Sequence, residues 1–138
     1  MNVKLSWLRK QLNRMNMEGM IITNQTNIRY LTGIKAEGIL LITPKENIYI
    51  TDGRYIEDVN SVLTIADEII VMDIRDISIY DYENFFTFCE NIGFEENNLT
   101  YAKYKEYKQR YKINNFVETD NIIEKQRMIK DEEEVGYL

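Results

Sequence analysis

The sequence predicts an α/β domain built on a mixed sheet. Two apolar runs, Gly38–Thr43 and Ile48–Thr51, are joined by only Pro44-Lys45-Glu46-Asn47, so they must be antiparallel neighbours. The first, Gly-Ile-Leu-Leu-Ile-Thr, lacks alternation, as a strand buried on both faces does. Around this hairpin, segments of helical periodicity alternate with short apolar runs. The polar, glycine-bearing turns of the stretch Asn24–Tyr55 flank its strands. In such sheets, ligands and partners meet turns of this kind beside the strand ends.

Bulk composition narrows the function. The 138 residues suffice for one domain, with 44% hydrophobic and 29% charged residues, the balance of a soluble globular chain. A net charge of −6 disfavours nucleic acid and acidic membranes. The first twenty residues mix charge with apolar side chains, unlike a signal peptide, and no run is long enough to span a membrane. One Cys excludes an intrachain disulfide and fits a reducing compartment. There is no His, which removes Ser-His-Asp and Cys-His catalysis and His-ligated zinc together.

The elements follow in order. Leu5, Leu8, Leu12 and Met15 fall on one face of a helix over residues 3–17, capped by Asn2. Trp7 points nearly opposite, beside Lys10 and Arg14; its ring either lies on the surface or contacts a partner, since Trp is enriched at interface centres. Gly19 ends the helix in a left-handed turn, and Met20–Thr23 is a short buried strand. Asn24 or Thr26 caps a short helix that Gly33 closes. After the hairpin, Asp52 caps a helix through Tyr55, Ile56, Val59, Val62 and Leu63, and Glu68–Asp73 is a strand. Tyr82, Phe85, Phe86, Cys89 and Ile92 make a helical stripe ended by Gly93, with Cys89 an inert core thiol. Leu99–Ala102 reads as a short strand and Lys103–Lys112 as a helix. Its tyrosines, 104, 107 and 111, among Lys and Arg could suggest nucleic-acid binding; the acidic whole favours their packing on the sheet. Phe116–Glu118 is an edge strand and Ile122–Ile129 a short helix. Asp131–Glu134 then forms the acidic first turn of another helix, with Val135 and Leu138 starting its apolar stripe. The expected organisation is one domain over residues 1–128 and, over 129–138, the start of a helix leading into a further domain.

Few residues carry chemistry. Asp52 stands at a strand end, as the phosphorylated Asp of a receiver domain does. The first strand, however, leads into Thr23-Asn24-Gln25 and not into the acidic pair that would hold Mg²⁺. The glycines form neither a P-loop nor a dinucleotide fingerprint. Arg54 beside Tyr55 can offer a fork of donors to a carboxylate, or pair internally with Asp52 or Glu57.

Three blocks, in this order and at these intervals, carry a resemblance: Asn27-Ile-Arg-Tyr-Leu-Thr-Gly33, Thr51-Asp-Gly-Arg-Tyr55, and Arg127-Met-Ile-Lys130 followed by Glu134-Val. With the leading Met17-Glu-Gly-Met-Ile-Ile-Thr23, they resemble the N-terminal domain of the creatinase, prolidase and aminopeptidase P family, over essentially the whole chain. The resemblance implies a three-layer α-β-α, ribonuclease-H-like fold. It implies a parent hydrolase, a metalloprotease acting as Xaa-Pro dipeptidase or Xaa-Pro aminopeptidase, with creatine amidinohydrolysis as a family alternative. Its two divalent metals, manganese foremost, are held by Asp, Asp, His, Glu and Glu of a second, pita-bread domain, so no catalytic residue, metal ligand or cofactor is expected on this chain. The implied partners are that catalytic domain, a second copy in a homodimer, and proline-containing peptides, in the cytoplasm, without nucleic acid or membrane. In the family this domain supports dimerisation and covers an active-site mouth. Lys35 and Glu37, in the loop Ile34–Glu37, together with Arg54 and Tyr55 are therefore the substrate-gating or inter-subunit candidates, and Trp7 the interface candidate. A stand-alone binding domain of the same fold is the alternative.

Overall fold

The computed structural model describes residues 2–136, with side chains to residue 129. Helix α1 spans Val3–Arg14, and Asn2 caps it by accepting from the Leu5 amide at 3.0 Å. Strand β1 is Gly19–Ile22, and α2 is Gln25–Thr32. The hairpin is β2, Gly38–Ile42, and β3, Asn47–Thr51. Helix α3 (Ile56–Val62) precedes β4 (Ile69–Asp73), and α4 (Ile79–Asn84) precedes β5 (Asn91–Phe94). Then come α5 (Tyr101–Arg110), β6 (Asn115–Glu118) and α6 (Ile122–Gly136).

The six strands form one mixed sheet in the order β4-β3-β2-β1-β5-β6. Strand β2 runs antiparallel to both neighbours, and the other pairings are parallel. The carboxyl ends of β1, β3, β4, β5 and β6 thus share one edge, where the polar turns lie.

Period-two alternation divides the core into two layers. Met20, Ile22, Leu40, Ile42 and Tyr49 face Leu5, Leu8 and Leu12 of α1, Ile28 and Leu31 of α2, Val59 of α3 and Ile122 and Ile123 of α6. Ile21, Leu41, Ile48, Ile50, Ile92 and Phe94 face Phe86, Cys89, Tyr107 and Tyr111 on the other side. Helices on both faces make the expected three-layer α-β-α arrangement. Each of the three buried leucines of α1 contributes about 2 kcal/mol by leaving water.

Several expected elements are corrected. Helix α1 stops at Arg14, because Asn16 takes the left-handed conformation (φ 59°) expected of Gly19, which is a strand residue paired with Ile92. Met15 is therefore exposed, and Met17 packs in the core. Asp52 caps a 3₁₀ turn, Gly53–Tyr55, ahead of α3. The stripe from Tyr82 to Ile92 is not one helix: α4 ends at Asn84, Phe88 turns the chain at φ 66°, and Ile92 and Gly93 belong to β5. A four-residue strand carries too little pattern to compete with a helical reading of the same apolar side chains. Leu99–Ala102 is not a strand; Thr100 caps α5 there by accepting from the Lys103 amide. Asp131–Glu134 does not begin a new helix, since α6 runs unbroken to Gly136. The stripe expected from Val135 and Leu138 lies outside the described side chains.

Candidate functional site

Strands β3 and β4 end in the same device. Asp52 accepts from the Arg54 amide at 3.0 Å, and Asp73 accepts from the Arg75 amide at 2.9 Å. Each aspartate caps a 3₁₀ turn, Gly53–Tyr55 and Ile74–Asp76. Because Thr51 and Asp73 are in register, the two turns stand side by side. A Cβ at Gly53 would meet the Asp73 carboxylate and the Arg75 guanidinium. Arg75 is committed to Asp73, with Nη2 2.8 Å from Oδ2. Hydrogen bonds from Arg75 hold the Asp73 carboxyl below the usual carboxylate range.

Arg54 is less committed. Its side chain is 73% exposed, its Nε lies 3.6 Å from Asp52 Oδ1, and its guanidinium stands 5.0 Å from the centre of the Tyr55 ring. An exposed pair at that distance holds little energy, so the donor fork stays available. The internal pairing with Asp52 is thus present but weak.

Arg54 and Tyr55 open onto a groove of about 440 Å³ that Glu37, Gln25 and Thr51 also line, with Lys103 and Tyr107 of α5 opposite. The loop 34–37 is held there by its backbone. Tyr49 Oη donates to the Ala36 carbonyl at 2.5 Å, and Thr51 Oγ1 donates to the Glu37 carbonyl at 2.7 Å. Burial, reinforced by the charge of Glu37, pushes the Tyr49 hydroxyl well above its ordinary value, so it stays a donor at working pH. Three of the four gating candidates, Glu37, Arg54 and Tyr55, therefore meet at one groove. Lys35 is exposed on the same loop without lining that groove. Trp7 lies elsewhere, 42% exposed, in a groove between α1 and α6.

The residue that sequence reasoning missed is Glu95, immediately after β5 and only 5% exposed. Its Oε1 accepts from the amides of Thr23 and Asn24 at 2.7 and 2.9 Å, and its Oε2 accepts from Asn27 Nδ2 at 2.6 Å. Arg127 of α6 donates to Asn27 Oδ1 at 3.1 Å, joining the first and last blocks of the sequence pattern. Burial raises the Glu95 carboxyl above its ordinary value, and the three hydrogen bonds oppose this. The carboxyl ends of β1 and β5 and the start of α2 form the crevice where an α/β sheet ordinarily takes a ligand. Here the domain's own carboxylate fills it. The only foreshadowing was the acidic pair Glu95-Glu96 directly after an apolar run.

Among the described residues, no group of three or more His, Cys, Asp or Glu is placed to hold a metal ion, and no helix is long and apolar enough to cross a membrane. Fold and site together define an α/β scaffold whose strand-end crevice is filled from within and whose open groove is lined by charged and aromatic side chains.

Residues 4–129 match the model of the creatinase/prolidase N-terminal domain, so the chain belongs to that family. It is 32% identical over 139 residues to an uncharacterized peptidase, YqhT, of Bacillus subtilis, covering 99% of this chain and 38% of that protein. It is similar in structure to an Xaa-Pro dipeptidase from Bacillus anthracis, with a TM-score of 0.76 and 25% identity over 91% of this chain and 35% of the other. The fold also matches the N-terminal domain of the cytoplasmic peptidase PepQ from Mycobacterium tuberculosis, with a TM-score of 0.77 and 23% identity over 91% of this chain and 98% of that one. The chain thus spans about two-fifths of the curated relative's length.

Proposed function

We propose that this domain is the non-catalytic N-terminal part of a proline-specific metallopeptidase, and that its groove shapes the entrance to an active site on a following catalytic domain. The observation that carries the reading is the meeting of Glu37, Arg54 and Tyr55 at one open groove, in a chain that matches the creatinase/prolidase N-terminal domain over residues 4–129. The mixed charge of the groove, Glu37 and Asp52 against Arg54 and Lys103, suits a peptide substrate that carries an ammonium at one end and a carboxylate at the other. Two divalent metal ions, manganese foremost, belong in this reading to the following domain. The working unit is a homodimer in the cytoplasm, in which the groove faces the site of its own or the neighbouring subunit.

Two measurements test this. The 138-residue chain with added Mn²⁺ should not hydrolyse an Xaa-Pro dipeptide; metal-dependent turnover by the pure chain would overturn the reading. In the full-length protein, Arg54→Ala should raise KM about 10-fold, the loss of one charge-assisted hydrogen bond, or shift sedimentation towards monomer. Its thermal stability should hardly change, because the side chain is 73% exposed. Unchanged KM and unchanged sedimentation would assign Arg54 to the turn alone.

A further inference from the structure

The two edges of the sheet are finished differently. At one end, β6 is four residues long and shows Asn115 and Glu118 to solvent. Short length and polar side chains are common means of blunting an edge. At the other end, β4 has five residues, Ile69-Ile-Val-Met-Asp73, in unbroken register with β3. It carries no Pro, no bulge and no charge before its last residue. Because β4 is the outermost strand, the row of backbone N–H and C=O groups facing away from β3 has no strand to pair with. No loop among the described residues turns back to pair with it. Such a row is a ready template for a further strand.

Side chains beside this row add an apolar surface. Ile69 and Val71 pack in the layer of Val59 of α3. Ile70 and Met72 point to the opposite side, where Met72 packs on the second layer and Ile70 stays 44% exposed. Ile74 and Ile79, also exposed, line a cavity of about 490 Å³ with Tyr82, a side chain of that second layer. Arg110, at the same cavity, is engaged by Glu106 at 2.9 Å.

The occupant follows from charge. Asp67 and Glu68 precede β4, and Asp73 and Asp76 lie at and beyond its end. The single cation of this stretch, Arg75, is held by Asp73. Both ends of the edge are therefore acidic. Pairing with β4 of a second copy would set carboxylates beside carboxylates whether the strands ran parallel or antiparallel, and like charges so placed are destabilising. A strand with Lys or Arg at both ends meets acidic groups at both, in either direction.

We propose that the outer edge of β4 receives, as a seventh strand, an extended segment of a partner protein whose alternate residues are apolar and whose ends carry Lys or Arg. Its main chain pairs along Ile69–Asp73, and one row of its apolar side chains covers Ile70. This interaction goes beyond the peptidase reading and does not depend on it.

Three synthetic peptides test this on the 138-residue chain. The first is Lys-Lys-Val-Thr-Val-Thr-Val-Lys-Lys. The second has Glu in place of every Lys. The third is the first with two adjacent central residues N-methylated, which removes a donor from each edge of the peptide. With the first peptide at saturation, the outward backbone amides of residues 69–73 should exchange with deuterium about 10-fold more slowly. At low salt its Kd should be lower than that of either control by about 10-fold. In the double variant Glu68→Lys, Asp76→Lys the preference should reverse towards the Glu peptide; both side chains are exposed, so the fold should persist, as circular dichroism would verify. Equal affinity for the first two peptides, an unchanged preference in the folded variant, or unprotected β4 amides would overturn the proposal. So would undiminished binding of the N-methylated peptide, since the contact would then not run through the main chain. Protection of the same amides in the chain alone, growing with its concentration, would identify a second copy as the occupant and overturn it as well.

Discussion

Glu95→Ala is expected to lower the unfolding free energy by about 3–5 kcal/mol, the largest effect of any polar substitution in the domain. The carboxylate satisfies the amides of Thr23 and Asn24 and the side chain of Asn27. A buried donor left without an acceptor costs about 1–3 kcal/mol. Three lose theirs at once, and the alanine leaves a void beside a 5% exposed site. Glu95→Gln keeps an acceptor for the two amides but sets a donor against Asn27 Nδ2. Turning the Asn27 amide to compensate would present that donor to Arg127, which now donates to Oδ1 at 3.1 Å. A loss of about 1–2 kcal/mol is expected for the glutamine variant.

The pH dependence separates the charge from the hydrogen bonds. Burial raises the Glu95 carboxyl above its ordinary value of 4.5, and the charge of Glu124 adds to this. The folded state therefore keeps a proton that the unfolded state has already released. Stability from this group is fully present below the ordinary value and is lost as pH rises through the raised one. Urea unfolding of wild type from the ordinary value towards neutrality should show a decline that Glu95→Gln lacks. Parallel curves for the two proteins would show that the carboxylate holds no excess proton in the fold.

The parts of the fold legible in the sequence are those governed by local rules. The hairpin follows from its short connection, while its register, Gly38 opposite Thr51 and Ile42 opposite Asn47, comes from the structure. Asn24 caps α2 and Gly33 closes it at φ 81°, because short polar side chains and glycine do these tasks at low cost. Strand β5 was hidden because Phe88, a residue with no preference for positive φ, makes the reversal before it. Thr100 carries a cap signal, but it lies within the run Leu99-Thr100-Tyr101-Ala102, which reads as a short strand. Glu95 was illegible for a different reason. Its partners lie 68 to 72 positions away, and spacing along the chain says nothing about which carboxylate a fold will bring to a given helix start. The gating candidates were legible as turn residues. That Glu37 would join Arg54 and Tyr55 while Lys35 would not depends on which loop side chains turn towards the groove, which only the anchoring of the Ala36 and Glu37 carbonyls decides.

Two glycines at the same sheet edge should respond unequally to alanine. A Cβ at Gly38 would stand 2.5 Å from Tyr49 Cζ and 2.6 Å from the Ile50 carbonyl oxygen. Neither can retreat: Tyr49 is fully buried, and Ile50 is held on both sides, opposite Ile39 of β2 and Met72 of β4. Gly38→Ala should therefore cost about 2–4 kcal/mol, which for a domain of this size lowers the melting temperature by roughly 10 °C. At Gly53 the obstructing atoms are the ends of the Asp73 and Arg75 side chains, and the Arg75 side chain is 76% exposed. It can swing into solvent, and the Asp73 carboxylate, the nearer obstacle, is also a side-chain end and not backbone, so it can shift once Arg75 moves. Gly53→Ala should stay within about 1 kcal/mol of wild type, the more so because alanine reduces the freedom of the unfolded chain. Calorimetry of the two variants decides the matter. An equal loss at both positions would mean that the stacked turns after β3 and β4 are rigid, and that the glycine of Asp-Gly-Arg-Tyr is held for the packing of those turns. A small loss at Gly53 leaves the turn free to vary in stability terms and places the constraint on what Arg54 and Tyr55 present to the groove.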